Sequence, residues 1–237
     1  MAGSAALPPP SDDGLLLRIS PHPRGRDDGP ARRDTGGRRA AIARAATDLF
    51  LRQGYQATST EQIASAAAVS KQTVYNQFGD KQRLFEEIVL GVTATAEAFA
   101  ADLPDTMHGV SGPTELDAAL RALARRYLAV VMTPQVLALR RLVISEATRY
   151  PELAAAYYER GPARVLAALG VLFAGLDTRR LLRVDDPGRA AADFAFLLLG
   201  RALDEGMFRP RALPTAEIDA TVDHAVDVVL ATYRRRA

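Results

Sequence analysis

Ser70, Lys71, Gln72, Thr73, Tyr75 and Asn76 lie within seven residues, on a stretch whose apolar positions, Val74 and Phe78, repeat at i and i+4. On a helix with that spacing the amides, hydroxyls and aromatic ring fall on the outward face. Glutamine and asparagine amides pair with adenine edges, and a threonine methyl packs against a thymine methyl. No acidic residue occurs from Ala64 to Gly79, although a surface helix without a partner ordinarily carries glutamate and lysine in register. Lys71 and Lys81 are the only two lysines in the chain. Each stands in the first turn of an expected helix, the end at which a cation is disfavoured by roughly 0.3–1 kcal/mol. A bound phosphate reverses that sign, because lysine, free amides and helix dipole then converge on one anion. The chemistry open to this cluster is therefore base-edge readout flanked by phosphate contacts.

The flanking segments supply the elements that must hold the cluster. Ile42, Ala45, Ala46, Leu49 and Phe50 recur at helical spacing, which predicts a first helix from about Arg38 to Arg52, ended by Gly54. Thr58-x-x-Glu61 and Ser59-x-x-Gln62 are overlapping capping-box patterns for a second. Ser70 is an N-cap for the third, Gly79 stops it, and Asp80 caps a fourth. The fourth carries Leu84, Phe85, Ile88, Val89, Val92, Ala96 and Phe99 on one stripe and is expected to bridge the small module to the rest. A short helix, a tight turn and a second short polar-faced helix are the parts of a helix-turn-helix.

Charge agrees with that reading. Residues 38–84 hold seven basic residues against three acidic ones, whereas residues 1–37 balance five arginines with five aspartates. With a whole-chain charge of +2, the remaining residues are net negative. A basic segment on a neutral or acidic body is the footprint of a nucleic-acid module. Residues 1–37, rich in Pro, Gly, Asp and Arg without sustained periodicity, are expected to be a disordered tail.

Of the 237 residues, 48% are hydrophobic, with alanine and leucine dominant and no tryptophan, and no strand-like alternation appears. Loops marked by proline separate helical segments near 114–131, 135–148, 151–175, 188–205 and 215–234, with Gly161-Pro162 expected to kink or split the third. The absence of cysteine excludes disulfides and cysteine-based zinc sites. No uninterrupted apolar run approaches the ~18 residues of a membrane span, so a soluble cytoplasmic protein is expected. Enzyme chemistry finds no constellation. Glu86 and Glu87 diverge on a helix, His22, His108 and His224 are isolated, and no P-loop, nucleophile elbow or dinucleotide fingerprint occurs. No cofactor and no metal are expected.

The stretch RRAAIARAATDLFLRQGYQATSTEQIASAAAVSKQTVYNQFGDKQRLFEEIV, residues 38–90, resembles the N-terminal DNA-binding domain of TetR/AcrR-type bacterial transcriptional regulators. The likeness includes Gly54-Tyr55, Thr58, Ile63-Ala64, Val69-Ser70-Lys71, Thr73, Tyr75, Phe78 and Lys81. Residues 140–169 resemble the C-terminal domain of the AefR-like branch. The resemblance implies an all-α fold of about nine helices: a three-helix helix-turn-helix domain over 38–84 and a larger helical ligand-binding and dimerisation domain over 85–237. It implies that Ser70, Gln72, Thr73, Tyr75 and Asn76 meet the major groove, and that Thr58, Tyr75 and Lys81 hold phosphates, with Lys71 steering the helix electrostatically. The family usually has glycine where this chain has Ala68; if positive φ is needed there, alanine costs on the order of 1 kcal/mol.

For the body, the resemblance implies a homodimer joined through the last two helices as a four-helix bundle, with Phe194, Leu197, Leu198, Arg201, Val222, Val226 and Val229 at the interface. It also implies a small-molecule pocket between the connecting helices, for which Phe99, Tyr127, Met132, Arg140, Glu146, Tyr157 and Phe173 are the candidates. The function so implied is a repressor that binds double-stranded DNA at a pseudo-palindromic operator and is released by a small-molecule effector. The alternative is a DNA-binding regulator or architectural factor controlled by a protein partner.

Overall fold

A computed structural model describes residues 30–209 and 211–235, and every element among the described residues is helical. The chain divides into two compact units between Thr95 and Ala96, inside a helix and C-terminal to the boundary after residue 84 that the sequence suggests. The first unit holds α1 (Pro30–Gln53), α2 (Thr60–Ala66), α3 (Lys71–Phe78) and most of α4 (Lys81–Asp102). The second holds the end of α4, then α5 (Pro113–Val131), α6 (Pro134–Glu146), α7 (Pro151–Tyr158), α8 (Arg164–Thr178), α9 (Pro187–Phe208) and α10 (Thr215–Tyr233). Proline opens α5, α6, α7 and α9, where its missing N–H has no intrahelical partner to lose.

The boundaries differ from expectation at two places. Helix α1 begins at Pro30, so residues 30–37 are helical rather than part of a disordered tail. Once the buried face of Ile42, Ala43, Ala46 and Phe50 fixes the helix, each further turn is added without a new nucleation cost. The rest of the tail, residues 1–29, lies outside the described residues. Second, Gly161-Pro162 does not split its segment. Residues Glu159–Ala163 form a π turn that absorbs the proline and joins α7 to α8 as one continuous helix, Pro151–Thr178. Counted that way the described residues form nine helices. By length and composition alone that joined helix is long and apolar enough to cross a membrane. It nonetheless sets Val165, Leu169, Leu172, Phe173 and Leu176 into the core of the second unit.

In the first unit Phe50, Tyr55 and Phe85 form a ring cluster with centroids 4.6–5.5 Å apart, and Ile63, Val74 and Phe78 are buried with them. Arg39 ties three helices together. Its guanidinium lies over the Phe78 ring at 4.1 Å, donates to the Gln77 carbonyl and pairs with Glu87. Nothing in the sequence pattern singles this arginine out from its neighbours.

The second unit is built around α5, α8, α9 and α10. This core overturns most of the expected dimer contacts. Phe194, Leu198, Val222, Val226 and Val229 are at most 1% exposed, buried against Leu120, Leu169 and Phe173 of the same chain. A side chain already enclosed by its own protomer is not available to a second one. Leu197 is half-buried and Arg201 exposed. The flank of α10 that lies beside α5 is charged. Arg121 on α5 reaches Asp223 at 2.8 Å and Asp227 at 2.6 Å, and Arg125 reaches Asp219 at 2.9 Å. The large apolar side chains left outside on the packed pair α8 and α9 are Val171, 71% exposed, Phe196, 64% exposed, and Phe208, 80% exposed at the last residue of α9.

Candidate nucleic-acid interface

The turn between α2 and α3 is fixed from both ends. Of the two overlapping capping boxes, the Ser59–Gln62 pair forms: Gln62 N–H donates to Ser59 Oγ at 3.1 Å, and Ser59 N–H to Gln62 Oε1 at 2.7 Å. Helix α2 closes with Ala68 N–H donating to the Ser65 carbonyl and Val69 N–H to the Ala64 carbonyl, which is the Schellman pattern. Ala68 therefore occupies the left-handed region, φ +53°, and the turn retains the shape a glycine there would give it. Ser70 then caps α3, accepting from Thr73 N–H at 3.0 Å.

Emerging from that turn, α3 turns Val74 and Phe78 into the core and leaves Ser70, Lys71, Gln72, Tyr75 and Asn76 exposed, with Thr73 half-buried. Six of the eight residues expected to meet DNA thus share one surface. The amides of Gln72 and Asn76 are linked, Gln72 Nε2 donating to Asn76 Oδ1 at 2.9 Å. That link leaves the Gln72 carbonyl and the Asn76 amide hydrogens free to face a base edge, an acceptor beside a donor. The Ser70 and Thr73 hydroxyls share a hydrogen bond at 2.8 Å.

The remaining two residues sit elsewhere. Thr58 is 1% exposed, and its hydroxyl donates to the Gly54 carbonyl at 2.8 Å and accepts from Gln53 Nε2 at 3.2 Å. It builds the turn that follows α1 and cannot offer its hydroxyl to a phosphate. Lys81 is half-buried. Its ammonium donates to the carbonyls of Tyr55 at 2.9 Å and Thr58 at 2.8 Å and lies 4.2 Å from the Tyr55 ring centroid. Two of its three protons are spent inside the protein, so one is left for an external anion.

Lys71 is answered as well. It pairs with Glu61 of α2 across the turn and lies 5.7 Å from the Tyr75 ring centroid. The hydrogen bond from Lys71 holds the Glu61 carboxyl below its usual range and raises the lysine in turn. Both first-turn lysines therefore meet an oxygen acceptor within the protein, which sequence position alone did not reveal. Arg44 and Arg52 of α1 are exposed and add to the positive surface of this unit.

Of the residues proposed for a ligand pocket, Phe99, Tyr127, Met132 and Phe173 are buried, and Arg140, Glu146 and Tyr157 are half-buried. Phe173 packs on Phe194, centroids 5.8 Å apart, within the main core. Phe99 stacks on Tyr127 at 5.1 Å.

Residues 42–88 match the family described as bacterial regulatory proteins, tetR family, and residues 118–235 match the AefR-like transcriptional repressor C-terminal domain. The chain is 36% identical to the HTH-type transcriptional regulator HbdR of Aromatoleum sp. (strain CIB), over a stretch that covers 33% of each protein, well under two thirds of that relative. It is 32% identical to the HTH-type transcriptional regulator TcmR of Streptomyces glaucescens over 158 residues, 63% of this chain and 68% of that one. Among solved structures it resembles a protein of Mesorhizobium loti MAFF303099 described as a TetR-family transcriptional regulator, with TM-score 0.77, 35% identity and coverage of 88% of this chain and 100% of that one. The flavonoid-responsive regulator FrrA follows with TM-score 0.67, 32% identity and coverage of 85% and 100%. Likeness of this extent, spanning both units and including the turn that presents α3, makes the chain a member of the TetR family, a DNA-binding transcriptional regulator with an AefR-like C-terminal domain.

Proposed function

We propose that the protein is a cytoplasmic repressor that binds a pseudo-palindromic operator as a homodimer and leaves it when a small molecule occupies the C-terminal unit. The observation that carries this reading is the polar outer face of α3, with Ser70, Lys71, Gln72, Tyr75 and Asn76 exposed together on a capped, rigid turn. Two such helices related by a two-fold axis would read two half-sites one helical turn apart. The contacts expected of Gln72 and Asn76 are base-specific, while those of Lys71, Tyr75 and the third proton of Lys81 are with phosphates. Release is supported by the likeness to a regulator described as flavonoid-responsive. A ligand acts in this way only through its differential affinity for the DNA-competent and DNA-incompetent states.

For the dimer, we assign the exposed apolar side chains of α8 and α9, Val171 and Phe196, together with Leu197 and Arg201, in place of the buried residues of α9 and α10. The partner is a second copy of this chain, in line with the two-fold operator.

Titration of the full chain against DNA from upstream of its own coding sequence, at several salt concentrations, tests the proposal. Specific binding with a steep negative salt slope is expected, since each phosphate neutralised contributes about −0.9 to the slope. Gln72→Ala and Asn76→Ala should each relax discrimination at one base step, at about 1–3 kcal/mol. Sequence-blind losses from both would refute base readout by α3. No binding at low salt would refute the function itself.

A further inference from the structure

One acid reaches the outward face of α3. Glu61 stands in the first turn of α2 and pairs across the turn with Lys71, with side chains 61% and 49% exposed respectively. The acids on the other flank of α3 are engaged away from that face. Asp80 accepts from the Arg83 N–H at 2.8 Å, Glu86 from Gln82 Nε2 at 2.9 Å, and Glu87 pairs with Arg39. Glu61 is not required to close its own helix, because the capping box that forms joins Ser59 to Gln62. The Lys71 ammonium also lies 5.7 Å from the Tyr75 ring centroid. It is thus held between a carboxylate of α2 and a ring of α3, on the surface that exposes Gln72 and Asn76.

A carboxylate at that position has two consequences. A cation in the first turn of a helix is unfavourable, and Glu61 answers it while DNA is absent. The same carboxylate competes with phosphate for one ammonium. The electrostatic part of DNA binding comes from counterions released as cations neutralise phosphates. Lys71 reaches a phosphate only by giving up Glu61, and the freed carboxylate then faces a polyanion. A paired lysine therefore adds less to binding than a free one. Both partners are well exposed, so the pair is weak enough to be exchanged where something else favours the exchange. On DNA of arbitrary sequence nothing does. On a matching sequence, base-edge hydrogen bonds from Gln72 and Asn76 would fix α3 in the groove and hold a phosphate beside its first turn. Specificity is a difference of affinities, and it rises when the wrong partner is penalised.

We propose that Glu61 is a positioning residue that sets DNA specificity: it withholds Lys71 from the phosphates of non-operator DNA and yields it only where Gln72 and Asn76 seat α3 on a matching sequence. This rests on the DNA reading proposed above.

The test titrates the full chain at several salt concentrations against two duplexes, followed by fluorescence anisotropy. One is the sequence that wild type retains from a random pool, the other a scrambled duplex of the same composition. Glu61→Gln should bind the scrambled duplex several-fold tighter at about 0.1 M salt, with a salt slope steeper by about 0.9, one additional phosphate. Its slope on the selected duplex should be unchanged. Lys71→Met should do the reverse, with a slope shallower by about 0.9 on the selected duplex and unchanged on the scrambled one. In the Lys71→Met background, Glu61→Gln should alter neither slope. A purely structural role would move the thermal midpoint and leave the slopes alone. Equal slope changes on both duplexes, no change on the scrambled one, or a change that persists without Lys71 would overturn the proposal. Should Glu61→Gln fail to fold, Lys71→Met decides, since a shallower slope on the scrambled duplex would show that Glu61 withholds nothing. Wild type that retains no sequence from the pool would refute the DNA reading itself.

Discussion

At the scale of single residues, two positions separate conformational roles from contact roles. Ala68 adopts φ +53° in the Schellman turn that launches α3. A residue with a Cβ is penalised there by roughly 1–2 kcal/mol, and glycine is not. Ala68→Gly is therefore expected to raise stability by about 1 kcal/mol, read from the chemical denaturation midpoint, without altering operator affinity. A decrease in stability would show that the position does not hold the left-handed conformation. Lys81 poses the complementary question. Its ammonium joins the start of α4 to the Tyr55 and Thr58 carbonyls, and hydrogen bonds from a charged donor contribute about 1.5–3 kcal/mol each when buried. Half exposure places Lys81→Met nearer the lower end of that range, so a loss of about 1–2 kcal/mol is expected, with weaker DNA binding that follows from the loosened turn. Unchanged stability with a sharp fall in DNA affinity and in salt slope would instead make Lys81 a phosphate clamp alone.

At the scale of elements, capping chemistry was the most legible feature. Ser59, Ser70 and the glycines Gly54 and Gly79 mark helix ends because their interactions are local, within a turn or two of the chain. What sequence could not resolve is which of several apolar stripes faces its own core. Val222, Val226 and Val229 read equally well as a core or as an interface, since periodicity reports that a face is apolar and not what covers it. A further signal lay on the adjoining flank of α10, where Asp219, Asp223 and Asp227 recur at i, i+4 and i+8 and face Arg121 and Arg125 of α5. Arg121 also makes a pH prediction through its partner within α5, Asp117. The Arg121 guanidinium, hydrogen-bonded to Asp117, holds that carboxyl below its ordinary value of 3.8. A carboxyl whose folded pKa is depressed contributes stability above its unfolded pKa and loses it as pH falls through the folded one. The Asp117–Arg121 pair within α5 should therefore lose its contribution below about pH 4, where unfolded aspartates bind protons. Wild type and Arg121→Met should differ in thermal midpoint at pH 7 and converge near pH 3. A difference that persists at pH 3 would assign the effect of Arg121 to packing of its aliphatic stem.

At the scale of the whole molecule, the fold class and the polar-faced helix of the helix-turn-helix were both readable from the chain, because a helix-turn-helix is a contiguous segment whose contacts are short-range in sequence. Which of the pocket candidates of the second unit face one another was not, because they come from several helices and periodicity within one segment does not report what covers it. The dimer proposal belongs to this scale too, and it rests on what the folded chain leaves uncovered. Phe196 is 64% exposed on α9 while its neighbours Phe194, Ala195, Leu198 and Leu199 are buried. Phe196→Glu should therefore leave the protomer folded, since the substituted side chain projects from the core. Two glutamates brought together across a two-fold apolar contact would be desolvated and of like charge, which disfavours association. Light scattering after size exclusion should give a dimer for wild type and a monomer of about half the mass for Phe196→Glu. Operator affinity should fall with it, because a monomer engages one half-site and forfeits the gain from tethering a second recognition helix. A Phe196→Glu protein that remains dimeric with full operator affinity would show that the two copies meet on another face, and would return Phe196 to the ordinary exposed surface.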